Sequence, residues 1–349
     1  MRWTTAAAAA ATAAAAATAW RALPRPADLT GRTALVTGGS RGLGLLIARE
    51  LGAAGCRVLV CARSGDELDT AVDDLRGRGI DAHGLACDLR VEAEIAALTA
   101  RVSGEFGPLD ILVNNAGVIR VGPIAALSEE DLAEALDLMF WAPYRLTRAF
   151  LPELRERSGN VVTVTSIGAK VSVPHLLPYS VGKFAEAALA EGMDAETPGD
   201  VRFTTVVPGL MRTGSHVGAE FISRPGAEYA WFALLSGLPV LSMDAERAAR
   251  AIVRGMRQGR RYIVLTPAAR VAMAAKGVAP GLVQTALRAT GAVLPGAAGT
   301  ELETGEQARE RTGPVLRLLT RLNDTASRRF NQVPRPRPEA EMPRPEARG

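Results

Sequence analysis

The chain has 349 residues, 48% of them hydrophobic and 22% charged, a balance that permits an enzyme-sized core. It excludes a mostly disordered chain, a collagen-like repeat and a polytopic membrane protein. The net charge of +4, from 41 Lys plus Arg against 37 Asp plus Glu, is too small and scattered for a nucleic-acid footprint, so no nucleic-acid partner is expected. Cys56, Cys61 and Cys87 lack CxxC spacing, which argues against a disulfide scaffold or zinc site and fits a reducing cytoplasm. His83, His175 and His216 lie far apart, and no metal is expected.

Residues 1–30 form a leader whose positions 3–23 are rich in alanine, with Thr12 and Thr18 interrupting the run from Ala6 to Ala19. Alanine is the best helix former, so a helix is predicted if the run orders. On such a helix Trp3 and Trp20 stand about 26 Å apart at 1.5 Å per residue, near the ~30 Å hydrocarbon thickness of a bilayer. Arg21, Arg25 and Arg32 follow as a positive flank. Three readings stay open: a disordered or loosely helical leader, a membrane anchor keeping residues 21 onward cytoplasmic, and a signal cleaved near Ala17-Thr18-Ala19. The absence of Leu, Ile, Phe and Val between Trp3 and Trp20 weakens the anchor.

From Gly31 to Leu265 short apolar runs alternate with helical patterns, the signature of parallel βαβ units. The predicted strands are Thr33–Thr37, Arg57–Cys61, Asp81–Ala86, Leu109–Asn114, Asn160–Thr165, Val201–Val206 and Arg261–Leu265. Predicted helices between them include Leu43–Ala54, Asp66–Arg78, Val91–Phe106, Glu129–Arg157, Tyr179–Ala195 and Ala245–Gln258. Continuous apolar runs suit strands covered on both faces. Residues 31–265 therefore read as one α/β domain, a Rossmann-type doubly wound, seven-stranded parallel sheet with helices on both faces.

The first strand runs into Thr37-Gly38-Gly39-Ser40-Arg41-Gly42-Leu43-Gly44 and then a helix. Gly38, Gly42 and Gly44 allow a tight turn and close approach of a pyrophosphate to the helix N-terminus. No GK[ST] follows, so the turn is not a P-loop. Later strands end at Cys87-Asp88-Leu89, Asn114-Asn115-Ala116-Gly117, Ser166, and Pro208-Gly209 with Thr213. Tyr179 and Lys183 are i and i+4, on one helical face. A phenol of pKa about 10 is a poor base at neutral pH, and a nearby ammonium stabilises its phenolate.

These motifs, in this order, resemble the short-chain dehydrogenase/reductase family, with its TGxxxGxG and YxxxK signatures. The resemblance covers residues 31 to about 265, and the interval from Ser166 to Tyr179 is one common in that family. It implies a Ser166, Tyr179 and Lys183 active site interconverting a carbonyl and an alcohol. Tyr179 would exchange a proton with the substrate oxygen, Ser166 would hydrogen-bond that oxygen, and Lys183 would also hold the nicotinamide ribose. It implies cofactor contacts from Gly38, Ser40, Arg41, Gly42, Leu43, Gly44, Arg63, Asp88, Asn115, Ala116, Gly117, Tyr179, Lys183, Pro208, Gly209 and Thr213, with Asp88 at the adenine. One position departs from the pattern: Met139 stands where the family often carries an active-site Asn that helps hold a water. A thioether is a weak acceptor and no donor, so only the Met139 backbone carbonyl is left to serve.

NAD-binding relatives usually end the second strand on an acidic residue. Here that strand ends Cys61-Ala62-Arg63-Ser64, and Arg41 sits in the glycine turn. Two guanidinium groups suit a 2′-phosphate, so the expected cofactor is NADP(H). Residues 210–240 occupy the substrate-loop position and carry Met211, Phe221, Tyr229, Trp231, Phe232 and Leu234-Leu235. These fit either an apolar lid over a lipid, steroid-like or aromatic substrate, or residues that pack the loop on the core or form an oligomer contact.

Residues 266–294 form an apolar extension expected to be helical, lying on the domain or on a lipid surface. Residues 295–349 read as a polar, Pro-rich, disordered tail, most clearly at 334–349. A homo-oligomer is expected, in the cytoplasm, with membrane association through residues 3–23 or 268–294 as an option. The leading function is an NADP(H)-dependent oxidoreductase. The alternative is a catalytically weak NADP(H)-binding regulatory or scaffold protein.

Overall fold

All five residues of β1 (Thr33–Thr37) are buried, as an unbroken apolar strand covered on both faces must be. The computed structural model describes residues 26–197, 199–237, 242–313, 316 and 320–332; the leader at 3–23 and the Pro-rich stretch at 334–349 lie outside them. Side chains along a strand alternate between faces. Ala34 and Val36, with Val58 and Val60 of β2 (Arg57–Ala62), enter one apolar cluster beside α1 (Gly42–Ala53) and α2 (Gly65–Arg76). Leu35, Leu59 and Cys61 enter a second cluster. That cluster also takes in β3 (Ala82–Ala86), α3 (Glu92–Arg101) and β4 (Ile111–Asn114).

The remaining elements follow in order. They are β5 (Arg120–Val121), α4 (Glu129–Leu136), α5 (Ala142–Glu156), β6 (Asn160–Val164), α6 (Leu177–Glu196) and β7 (Arg202–Val207). Next come β8 (Leu210–Arg212), β9 (Glu220–Ile222), α7 (Pro225–Gly237), β10 (Ser242–Asp244), α8 (Ala245–Arg257) and β11 (Tyr262–Val264). Seven strands make one parallel sheet, ordered β11-β7-β6-β4-β1-β2-β3, which is the doubly wound Rossmann-type architecture expected. The chain works outward from β1 through β2 to β3, then returns to place β4 on the other side of β1. The crevice at that switch point is where such sheets bind ligands.

The helix expected over Glu129–Arg157 is interrupted. One π-helical turn, Asp137–Trp141, separates α4 from α5 and carries the fully buried Met139. The strand expected from Leu109 starts instead at Ile111, because Asp110 is used as a staple. Its carboxylate accepts the Thr33 backbone N–H at 2.9 Å, Arg157 Nε at 2.9 Å and a nitrogen of Arg32. Burial opposes its ionisation, but hydrogen bonds from Arg157, Thr33 and Arg32 outweigh it and hold the carboxyl below the usual Asp range. One side chain thus joins the start of β1, the start of β4 and the end of α5.

Beyond the sheet, α9 (Pro267–Val278) and α10 (Pro280–Val293) are helices, as expected. They stand outside the core: only Ala269 is buried, and Val271, Val278, Leu282 and Val293 are exposed. Among the described residues no helix is long and apolar enough to cross a membrane.

The disordered tail expected from Pro295 is corrected over much of its length. Strand β12 (Leu302–Thr304) pairs antiparallel with β9, which pairs parallel with β5. Helix α11 (Gly305–Glu310) begins with a capping box from Thr304 and Gln307. Helix α12 (Arg321–Arg329) sends Ala326, with Phe330 just beyond it, into the first apolar cluster. Phe330 O accepts the Gly42 N–H at 2.8 Å, and Asn331 Nδ2 donates to Ser40 O at 2.9 Å. A polar composition hid a few well-spaced apolar residues that bury against the domain.

Two outcomes are expected. Asp110→Ala leaves the buried Thr33 N–H without its partner and should lower unfolding free energy at pH 7 by about 2 kcal/mol. Because the native carboxyl pKa is depressed, this contribution is full above the ordinary Asp value of 3.8 and lost as pH falls through the native value. Urea midpoints that coincide at pH 7 would remove the staple. Phe330→Ala should free the segment over the glycine turn and speed hydrogen exchange at the Gly42 amide by about tenfold or more. An unchanged exchange rate would show that the Phe330 contact does not hold the segment down.

Candidate active site

The glycine turn between β1 and α1 is braced from β4. Thr37 Oγ1 donates to Val113 O at 3.1 Å and accepts the backbone N–H groups of Asn115 at 2.9 Å and Ala116 at 3.1 Å. Asn115 Nδ2 donates to Thr37 O at 3.0 Å and Gly38 O at 3.2 Å. Asn115 and Ala116 therefore shape the turn itself. Gly38 has φ +62°, and a Cβ on Gly44 would lie 2.2 Å from Gly38 O, so neither position accepts a larger residue without distortion. Helix α1 has no acidic residue in its first turn and no side-chain cap from Arg41. Its positive end, with Leu43 just inside, suits an anion, and in this structure Phe330 O takes the Gly42 N–H there.

Ser166, Tyr179 and Lys183 come together at the C-terminal end of β6. Ser166 follows the strand in extended backbone, and its Oγ accepts the Gly168 N–H at 3.0 Å. A Cβ on Gly168 would lie 3.1 Å from Tyr179 Cε1 and 3.4 Å from Ser166 Oγ. Tyr179 is in the first turn of α6, which starts with Pro178 near its N-terminus, where proline costs no hydrogen bond. Lys183 is one turn on, and its Nζ donates to Val164 O at 2.8 Å and Glu186 Oε2 at 2.7 Å.

Met139 reaches the same place. A Cβ on Gly117 would lie 3.5 Å from both Lys183 Nζ and Met139 Sδ, and one on Gly182 would lie 2.6 Å from Met139 Cε. The thioether and the lysine thus both lie against Gly117, and the π-helical turn carries Met139 there. Gly182 is small because Met139 occupies the space against it.

Other predicted contact residues have local partners. Arg41 Nη1 pairs with Glu67 Oε1 at 3.1 Å, and Ser40 Oγ donates to Glu67 Oε2 at 2.9 Å. Arg63 is exposed, near enough for its charge to help keep the Asp88 carboxyl low. Asp88 is held chiefly by Arg90, which donates Nε at 3.0 Å and Nη2 at 2.6 Å. Pro208 O accepts the Ile167 N–H at 2.7 Å, and a Cβ on Gly209 would collide with Thr266 Oγ1. Thr213 is buried, and the N–H of the following Gly214 donates to Asn323 Oδ1 at 3.3 Å, so α12 lies against this segment.

The aromatic residues of the substrate loop go to the core. Phe221, Tyr229 and Phe232 are buried with Val121, Leu176 and Ala308 in a third cluster. Trp231 Nε1 donates to Glu228 Oε2 at 2.7 Å. Of the two readings of this loop, packing accounts for these side chains, and Tyr179 packs against the same cluster with Ile119 and Val173.

Three functional candidates escaped the sequence reading. Glu186 has an i+3 spacing to Lys183, but a glutamate on a helix usually faces water. Glu67 was legible only as an acidic residue in a first helical turn, and Asn331 belongs to the segment read as disordered.

Comparison with known proteins agrees with this layout. Residues 32–219 match the short chain dehydrogenase family model. A Streptomyces coelicolor protein with the provisional name ketoacyl reductase is 38% identical over 191 residues, covering 54% of this chain and 73% of that protein. Oxidoreductase UcpA of Salmonella typhimurium is 36% identical over 199 residues, covering 56% and 74%. Among solved structures, a short-chain dehydrogenase from Streptomyces avermitilis superposes with TM-score 0.64 at 29% identity, covering 75% and 98%. A variant of the actinorhodin polyketide ketoreductase, solved with NADPH, gives 0.59 at 29% identity, covering 67% and 95%. With more than half its length matched by the family model, the chain belongs to the short-chain dehydrogenase/reductase family.

Proposed function

We propose that the protein is an NADP(H)-dependent oxidoreductase that interconverts a carbonyl and an alcohol. The observation that carries this reading is the gathering of Ser166 and Tyr179 about Gly168, with Lys183 one helical turn along α6. The glycine turn has the backbone shape a dinucleotide requires, with Gly38 at φ +62° and no room for a Cβ on Gly44, and a pyrophosphate at Gly42 would take the place of Phe330 O and Gln332 Nε2, which lie against it. The pyrophosphate would lie at Gly38, Gly42, Leu43 and Gly44, the adenine at Asp88, and the 2′-phosphate at Ser40, Arg41 and Arg63. Asn115, Ala116, Gly117, Pro208, Gly209 and Thr213 would complete the cofactor site, with Tyr179 and Lys183 at the ribose. Bound there, the reduced nicotinamide supplies a hydride to a carbonyl carbon.

Tyr179 gives its phenolic proton to the substrate oxygen, which avoids an alkoxide at neutral pH. Ser166 donates to that same oxygen and orients it. The Lys183 ammonium favours the phenolate left behind. An apolar substrate is the class proposed, because Tyr179 shares its surroundings with Ile119, Val173 and Leu176. The names of the ketoacyl reductase and ketoreductase relatives support ketone reduction as the working direction.

Absorbance at 340 nm with NADPH and a panel of apolar ketones tests the reading directly. General acid assistance is worth about 10²–10⁴-fold, so Tyr179→Phe should remove that much kcat while NADPH affinity stays. Lys183→Ala should damage both. More than about a tenth of the parent kcat in Tyr179→Phe exceeds what this role permits. If the parent binds NADPH and turns over nothing, the protein is a nucleotide-binding regulator or scaffold instead.

The 2′-phosphate must compete with Glu67 for Ser40 and Arg41. Glu67→Gln should therefore tighten NADPH binding and leave NADH nearly unchanged, whereas Arg63→Asp should weaken NADPH. Dissociation constants for the two cofactors, measured by fluorescence titration, decide it; equal values in the unmodified protein refute the assignment.

A further inference from the structure

Lys183 has two partners among the described residues, and only one of them titrates. The Val164 carbonyl accepts a hydrogen bond but carries no exchangeable proton, and the neighbouring Met139 thioether cannot relay one. Glu186 lies 2.7 Å away through Oε2, with its side chain fully buried. Its other oxygen, Oε1, has no hydrogen-bond partner, and neither has Asn114 Oδ1. Both residues line a cavity of about 10 Å³ beneath α6, together with Thr147 and Thr163, a space of the size of one water.

A buried ion pair is a weak source of stability, since desolvation offsets its attraction. An apolar side chain would fill this position at least as well. We infer that Glu186 is a positioning residue for proton exchange: it acts through Lys183 to return to Tyr179 the proton lost in each turnover. The inference rests on the oxidoreductase reading given above. In reduction, hydride goes to the carbonyl carbon and the Tyr179 proton to its oxygen. The phenolate takes a proton from the Lys183 ammonium, which takes one from the Glu186 carboxyl. The carboxylate regains its proton from water through the cavity, so one hydride and one solvent proton are consumed per alcohol formed.

Burial pushes the Glu186 carboxyl up to about 7, with Lys183 pulling the other way. Both forms are then present at neutral pH, which suits a group that gives and takes protons. Among the described residues Lys183 is the one charged group facing Glu186; β4, α5 and β6 present the neutral Asn114, Thr147 and Thr163. The acid form donates, so ketone reduction should slow as pH rises through about 7, and alcohol oxidation should accelerate over the same interval.

Two measurements test this on the full chain. Infrared difference spectra of the cofactor-free protein between pH 6 and pH 8 should show a carboxylic C=O band that disappears with rising pH and is missing from Glu186→Gln. In ketone reduction, Glu186→Gln should lose the inflection near pH 7 and about tenfold or more in kcat, with NADPH affinity retained. Glu186→Asp, which keeps a carboxyl, should restore a pH-dependent rate. No such band in the parent at pH 6, or a parent-like kcat and pH profile in Glu186→Gln, overturns the inference. If Glu186→Gln does not fold, the parent's infrared titration and the Glu186→Asp profile decide. A parent that binds NADPH but reduces no ketone defeats the oxidoreductase reading instead, and the infrared band still reports whether Glu186 exchanges a proton.

Discussion

Thr37 and Asn115 tie the C-terminal ends of β1 and β4 together, and the site is built outward from that tie. A parallel sheet leaves a crevice where successive crossovers depart in opposite directions. Here the crevice would splay without a cross-link, because β1 and β4 each run straight into a loop. The Thr37 hydroxyl and the Asn115 amide supply that link through five hydrogen bonds to backbone groups. They fix the glycine turn on one side and Gly117 on the other, and Gly117 in turn faces Lys183 and Met139. At the opposite end of the same two strands Asp110 performs the equivalent task. The middle of the sheet is thus clamped at both ends by polar groups and filled between them by apolar ones.

Most of this was legible beforehand for a simple reason. Strands such as Thr33–Thr37 and Asn160–Val164 are short runs buried along their whole length, and a run of that kind stands out against helices of 3.6 periodicity. The motif residues sit at strand ends, so locating strands located the site. What stayed hidden lacked periodicity. Strands of two or three residues, such as β5 and β9, leave no alternation to read. The π-helical turn at Asp137–Trp141 inserts no breaker residue. Glu186 looks like a solvated helical charge until packing shows which face of α6 is inward.

The loop and tail regions illustrate how tertiary demand redirects side chains. Phe221, Tyr229 and Phe232 have the composition of a lid, yet β12 and α11 close over them and make a third apolar cluster with Ala308. Buried polar links complete the join: Asp324 reaches His216 and Arg309, and Asn323 donates to Ser236 Oγ at 2.9 Å. This face of the molecule is therefore assembled from the 210–237 segment together with β12, α11 and α12, and changes in one alter the footing of the other.

The seating of Asn331 on Ser40 also bears on how the protein is made. These partners are 291 positions apart, so the glycine turn leaves the ribosome long before the residues that cover it. At about 5–20 residues per second, synthesis of the intervening chain takes roughly 15–60 s. During that interval the glycine turn lacks the segment that later lies over it. Phe330 O and Asn331 Nδ2 reach Gly42 and Ser40 only at the close of that interval.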